Sequence, residues 1–213
     1  MKDRIDAILR RNQAEYLESL LPPRDALLEH MEKFAEENDH PIADPEVAQL
    51  MRVMVRTKRP RRVLEVGTNI GYSVITIGRE CDPDVVLETI EIDHNTLTTA
   101  KRFIAEASLP CRVVFHEGAA LDVLPRLTGP FDLVFIDCVK TEYEDYLDAL
   151  LPKMKQGAVI LCDNLLWKGR VATGEHDAPT DALRAFNQRL MNDPRLITSI
   201  LPLGDGTGVS VVV

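Results

Sequence analysis

Arg62-Val-Leu-Glu65-Val-Gly67-Thr68-Asn-Ile-Gly71-Tyr-Ser73 reads as a strand, a glycine turn and the start of a helix. The β-rich run ends at Val66 and the turn follows at once. Gly67 and Gly71 open backbone conformations closed to other residues and let a ligand approach the chain closely. A helix opening near Tyr72 offers unbonded N–H groups in its first turn. The turn does not match the nicotinamide fingerprint GxGxxG, because three residues separate its glycines rather than one. Taken alone it is also compatible with plain punctuation between a strand and a helix.

Working outward, residues 85–92, 112–116, 131–136 and 158–162 are further short apolar runs, and helical patterns fill 72–79, 94–107, 119–126 and 142–152. Strand and helix in alternation predict a mostly parallel α/β sheet with helices on both faces. Near the end, 196–203 and 208–213 are β-rich, and only Gly204-Asp-Gly-Thr-Gly208 joins them. So short a link predicts an antiparallel pair at that edge of the sheet. Upstream, 4–21 and 24–38 carry helical periodicity, with Pro22-Pro23 between them. A third helix is expected over about 45–55, with Asp44 as N-cap and Pro45 at its first position. The reading is one domain, residues 1–213, with a helical cap region at 1–57 and an α/β core at 58–213.

The bulk numbers agree. A chain of 213 residues suits one α/β domain. With 45% hydrophobic and 28% charged residues, its composition is that of a soluble globule. Its N-terminus is charged throughout and lacks the apolar core of a signal peptide, which predicts a cytoplasmic protein with no membrane span. Cys81, Cys111, Cys138 and Cys162 are far apart and form no CxxC pair, so reduced thiols are expected. A net charge of −9 argues against nucleic acid as a default partner. The local exception, the basic run 52–62, precedes the first strand and so falls at the end of the sheet away from the expected site.

Three more features carry chemistry. Glu91 ends the second strand, 24 residues past Gly67. An acid there is placed to grip a ribose diol, so turn and acid together point to an adenosine ligand. Asp93, two residues on, looks like a helix N-cap. Asp137, followed by Lys140, and the pair Asp163-Asn164 end two further strands. These three offer only oxygen ligands, a set that suits Mg²⁺ and not zinc. Lys140 is a candidate for the group that accepts a proton. Trp167, the only Trp, reads first as core packing. The stretch 168–179, with Gly169 and Gly174, is a candidate lid.

These residues resemble the cation-dependent, catechol-type O-methyltransferases of the Rossmann-like class I methyltransferase fold. The resemblance runs from about Pro41 to Val213 and is most specific in LEVGTNIGYS, FIDCVKTEYEDY, ILCDNLLWKGRV and LPLGDG. It implies S-adenosylmethionine as cofactor and a divalent cation, Mg²⁺ or another. Residues matching Glu65, Gly67, Thr68 and Ser73 would cradle the methionine part, Gly71 would complete the turn, and Glu91 would hold the ribose. Ala120 would lie by the adenine, and Ala43 stands where the family often has a Met or Thr against the cofactor. Asp137, Asp163 and Asn164 would hold the cation, Asp137 also facing the cofactor, and Lys140 would act as general base.

The implied reaction is methyl transfer to a hydroxyl of a small, catechol-like acceptor. A second reading is tRNA. Tyr16-Leu-Glu-Ser-Leu-Leu21, Phe34-Ala-Glu-Glu37, Pro41-Ile42 and Asn192-Asp-Pro194 resemble the bacterial tRNA 5-hydroxyuridine methyltransferases. The acidic stretch 171–182 weakens that reading. A third is a non-catalytic nucleotide-binding module. The apolar stripe of the N-terminal helices points to a homodimer.

Overall fold

A computed structural model describes residues 11–213. The helices are α1 (Arg11–Ser19), α2 (Ala26–Glu37), α3 (Pro45–Lys58), α4 (Tyr72–Gly78), α5 (His94–Ala107), α6 (Ala120–Val123), α7 (Tyr143–Leu150) and α8 (Ala178–Asn192). The strands are β1 (Arg62–Val66), β2 (Val86–Glu91), β3 (Arg112–Glu117), β4 (Phe131–Ile136), β5 (Met154–Cys162), β6 (Leu196–Leu201) and β7 (Thr207–Val212). They form one sheet in the order β3-β2-β1-β4-β5-β7-β6. The first five strands in that order are parallel to their neighbours, and β7 pairs antiparallel with both β5 and β6. This is the expected α/β sheet with an antiparallel C-terminal pair, but the last strand lies inside the sheet and β6 forms its edge.

Alternation along the strands divides the core between two faces. Val63, Leu133, Phe135, Val159 and Leu161 pack with Met31, Met51, Ile75 and Phe103 from α2–α5. Leu64, Val66, Val134, Ile136 and Ile160 pack with Tyr146, Leu147, Leu183, Phe186 and Leu190 from α7 and α8. Strands buried on both sides read as nearly continuous apolar runs, which is what the sequence shows.

Several boundaries depart from expectation. The first part of the helix expected over 4–21, with Ile5, Ile8 and Leu9 of its apolar stripe, lies outside the described residues. The described part of that helix, α1, leaves Tyr16 and Leu17 exposed, and Leu20 just beyond it is exposed too. α3 runs on to Lys58 and stops where Arg59 turns left-handed. Asp44 stands at its N-cap position but makes no side-chain capping bond; its carboxylate lies against Gly204 instead, where an added Cβ would meet Asp44 Oδ2 at 2.7 Å. The pattern over 119–126 splits into α6 and a 3₁₀ turn at Leu124–Arg126, because Pro125 cannot donate to a continuing helix. β5 begins at Met154, four residues before the apolar run, since the polar Lys155 and Gln156 hide its first half.

The largest omission is α8. Its start is marked by Asp177, whose Oδ1 accepts from Thr180 N–H at 2.8 Å, and by Pro179 in the first turn. Leu183, Phe186 and Leu190 then recur at helical spacing and are fully buried. The candidate lid 168–179 is fastened to this helix: Arg184 donates to the carbonyls of Val171, Arg170 and Thr173 at 2.9, 2.9 and 2.7 Å.

The basic run also finds partners. Arg52 and Arg56 both pair with Glu80, at 2.7 and 2.6 Å, and Arg62 pairs with Glu88. All four cysteines are free thiols, three of them buried. Among the described residues no helix is long and apolar enough to cross a membrane.

Candidate active site

Strand β1 lies between β2 and β4, so the chain order reverses there. The helix after β1 covers one face and the helix after β4 the other. Such a reversal opens a crevice at the carboxyl ends of the strands. A cavity of about 470 Å³ fills it. Of the expected residues, Ala43, Gly67, Thr68, Ser73, Glu91, Asp137, Lys140 and Asn164 line it. Glu65 and Asp163 are not in the lining; each is buried and bonded to residues at or beside it. Gly71 and Ala120 are outside the lining as well. The missing Cβ of Gly71 makes room for Ile104 and Ala100 of α5, which is a packing role.

The glycine turn is built by backbone bonds. Gly67 and Thr68 donate to Ile90 O at 3.1 and 3.0 Å, and Gly71 donates to Thr68 O at 2.9 Å. Glu91 is held by three backbone donors: Oε2 accepts from Asn69 N–H at 2.8 Å, and Oε1 from Ile92 and Asp93 N–H at 2.9 and 3.0 Å. A carboxylate accepts at about four positions, so Oε2 keeps capacity for a ligand hydroxyl. Asp93 caps α5 as expected, accepting from Thr96 N–H at 2.7 Å.

Glu65 is completely buried beneath the turn. Ser73 and Thr89 donate their hydroxyls to its two oxygens, Thr89 at 2.5 Å. Burial pushes its carboxyl up to about 8, against the pull of those two bonds.

On the other side of β1, Lys140 Nζ donates to Asp137 Oδ1 at 2.6 Å and to the Tyr143 hydroxyl at 2.8 Å. The Tyr143 hydroxyl also reaches Asp163 O at 3.2 Å, which joins the tips of β4 and β5. Asp163 Oδ1 accepts from Asn164 N–H at 2.8 Å. Burial first, and then the charge of Asp137, raises the Asp163 carboxyl to about 7. Asp44 is raised by burial and then by Glu46, Asp205 and Asp137. Asp137 and Asp163 thus stand near enough for the charge of one to act on the other, at the tips of β4 and β5. Among the described residues no group of three His, Cys, Asp or Glu side chains is gathered for a metal.

The loop after β5 is strained and clamped. Asn164, Trp167 and Lys168 have φ of 60°, 49° and 55°, a region costly for residues other than glycine. The Gly204–Gly208 turn holds the loop in place: Leu165 donates to Gly206 O and Leu166 to Asp205 O, both at 2.8 Å. Trp167 packs against the core, as expected, and also lines the cavity, with its indole N–H unpartnered. Asn69, Tyr72, Cys138 and Asp205 also line the cavity, although nothing in the sequence marks them individually. Each stands close in sequence to one of the glycines or strand tips, which is the signal that points to it.

Solved structures share this architecture and define the class. An O-methyltransferase of Streptomyces achromogenes involved in tomaymycin synthesis, in complex with S-adenosylmethionine, superposes with a TM-score of 0.84 at 32% identity, covering 93% of this chain and 94% of that one. A Bacillus cereus O-methyltransferase superposes at 0.85 with 27% identity, over 93% of this chain and 96% of that one. A catechol O-methyltransferase of Niastella koreensis is 30% identical over 199 residues, 88% of this chain and 90% of its own. A caffeoyl-CoA O-methyltransferase of Stellaria longipes is 28% identical over 207 residues, 89% and 85% of the two. The fold is thus that of the class I methyltransferases. The O-methyltransferase family profile matches residues 23–212, and the chain belongs to that family.

Proposed function

We propose that the protein transfers a methyl group from S-adenosylmethionine to a hydroxyl of a small, catechol-like acceptor, with a divalent cation. One observation carries this reading: a single cavity is lined by the glycine turn, by Glu91 and by the Asp137–Lys140 pair. Glu91 takes the ribose, and Glu65 with Ser73 lies beneath the methionine end. Asp137, Asp163 and Asn164 fit a hard cation by their oxygen donors. A cation held by these residues would lower the pKa of an acceptor hydroxyl, which for a free phenol is about 10. Lys140, held in the wall by Asp137 and Tyr143, would take the hydroxyl proton at Nζ as the neutral amine, after its own proton has passed to solvent. S-adenosylmethionine would supply the methyl group, which the acceptor oxygen would take as the carbon–sulfur bond breaks to leave a neutral thioether. Alignment of the two reactants supplies much of the rate.

A small acceptor is favoured over tRNA because Asp137 and Asp205 line the cavity with Asp44 close by, which repels a phosphate backbone. The exposed Tyr16, Leu17 and Leu20 support a homodimer. The test is methyl transfer to a catechol panel with Mg²⁺ and with EDTA. EDTA is expected to lower the rate by about 100-fold or more. Transfer that ignores EDTA overturns the cation, and transfer to undermodified tRNA with none to catechols overturns the acceptor.

Glu65 gives a second test. With its carboxyl at about 8, it is mostly protonated at neutral pH in the free protein. The cationic amino group of the methionine part favours the carboxylate, so binding is expected to release close to one proton per site at neutral pH. Calorimetry of S-adenosylhomocysteine binding in buffers of different ionisation enthalpy measures it; a heat independent of buffer removes Glu65 from this role. The sign for stability follows. The folded state holds this proton more tightly than the unfolded chain, where the reference value is 4.5. The cost of the buried charge is absent below that value and complete above about 8, so the free protein loses stability as pH rises through that window.

A further inference from the structure

Asn69 sits in the glycine turn with φ of 47°. Glycine would adopt that conformation with less strain, as Gly67 and Gly71 do on either side. The side chain of Asn69 explains why an asparagine is there. Its Nδ2 donates to Pro41 O, and its Oδ1 bonds His40 Nδ1 at 2.9 Å. A carbonyl only accepts, so Nδ2 must face Pro41, Oδ1 must face His40, and His40 Nδ1 carries the hydrogen.

His40 is itself fixed to α2. Its ring stacks on Phe34, with centroids 5.8 Å apart, and its backbone N–H donates to Ala35 O at 2.9 Å. The next three residues, Pro41, Ile42 and Ala43, line the cavity. The backbone N–H of Asn69 meanwhile donates to Glu91 Oε2 at 2.8 Å. One residue therefore touches the carboxylate assigned to the ribose and the segment that walls the same cavity from the α2–α3 connection.

We propose that Asn69 is a positioning residue for cofactor binding: it latches residues 40–43 over the cavity and ties that strap to Glu91. The inference rests on Glu91 and the glycine turn being the cofactor site. The latch acts on affinity and not on the chemical step, because neither Asn69 nor the strap bonds to Asp137, Lys140 or Asn164.

Asn69→Gly is the informative variant. It deletes both side-chain bonds and keeps a backbone that glycine adopts freely, so the fold is retained. The expected result is a dissociation constant for S-adenosylhomocysteine raised about tenfold by calorimetry, a higher KM for the methyl donor, and a kcat at saturating donor within about threefold of native. Amide exchange across 39–44 rises in the same variant. His40→Phe, which keeps the stacked ring and loses the N–H, is expected to weaken binding about threefold. Native affinity in Asn69→Gly, or a loss confined to kcat, overturns the latch. Glu91→Ala separates the two levels. If it too binds with native affinity, the cofactor assignment itself falls; if it loses binding while Asn69→Gly keeps it, only the latch falls.

Discussion

Gly67→Ala is expected to abolish cofactor binding and to destabilise the fold by about 3 kcal/mol or more. Gly67 has φ of 103°, outside the range of an L side chain, and a Cβ built there lies 2.1 Å from Asp137 O, 2.9 Å from Asp137 C and 3.3 Å from Cys138 Cβ. The first two are backbone atoms, and a Cβ has no rotamer with which to avoid them. They are also held, because Asp137 N–H donates to Val66 O at 3.0 Å. Relief requires the tips of β1 and β4 to separate, which moves the turn and Asp137 together. Gly71→Ala is a useful contrast. There the nearest atom is Ile104 Cδ1 at 3.0 Å, the far end of a flexible side chain. Its cost is mainly the left-handed backbone, about 1–2 kcal/mol. Thermal unfolding and S-adenosylhomocysteine calorimetry on both variants check the order, and a Gly67→Ala protein with native Tm and native affinity would show that the strands are not so closely fixed.

The same contact shows why much of the site was legible in the sequence. A strand that must pass its carboxyl end against a neighbour's backbone needs a glycine, and a ligand gripped at a strand tip needs an acid there. Both needs leave a residue type at a fixed distance from an apolar run, as at Gly67, Glu91, Asp137 and Asp163. The strands were legible because burial on two faces removes polar residues from them. β5 was half hidden for the converse reason, since Lys155 and Gln156 are exposed. α8 went unread because its buried residues follow a polar, acidic connection that reads as loop, although Asp177 and Pro179 mark its start. Asp44 was read as a cap from its place before Pro45, but capping is decided by where the carboxylate points, and that depends on Gly204, far away in sequence. Asn69 was invisible for a related reason: its partners come from the α2–α3 connection and from β2, and a turn asparagine looks the same with or without them.

Asp137→Ala is expected to lower kcat on the order of 10³-fold, several kcal/mol of barrier, while S-adenosylhomocysteine affinity changes by less than about tenfold. The asymmetry follows from how the cavity is divided. Ribose and methionine are assigned to Glu91 and Glu65, which Asp137 does not touch. The acceptor end is assigned to the Asp137, Asp163 and Asn164 set, and there Asp137 has two tasks. It is the charged partner of Lys140, at 2.6 Å, and its charge raises the Asp163 carboxyl, after burial, and likewise that of Glu65. Removing it leaves Lys140 bonded to the Tyr143 hydroxyl alone, a loss, and relieves Asp163 of a like charge, a gain. The two act in opposite directions, so the Tm is expected to move little while turnover collapses. Mg²⁺ titration of the variant by calorimetry, beside the kinetics, ties the loss to the cation: weakened Mg²⁺ binding with retained S-adenosylhomocysteine binding is the expected pair. An Asp137→Ala protein with native kcat would remove the catalytic assignment of Asp137 and take the cation out of the proposed reaction. A variant that loses cofactor and cation together would show that the two ends of the cavity are not separable, and that Asp137 holds the cofactor as well.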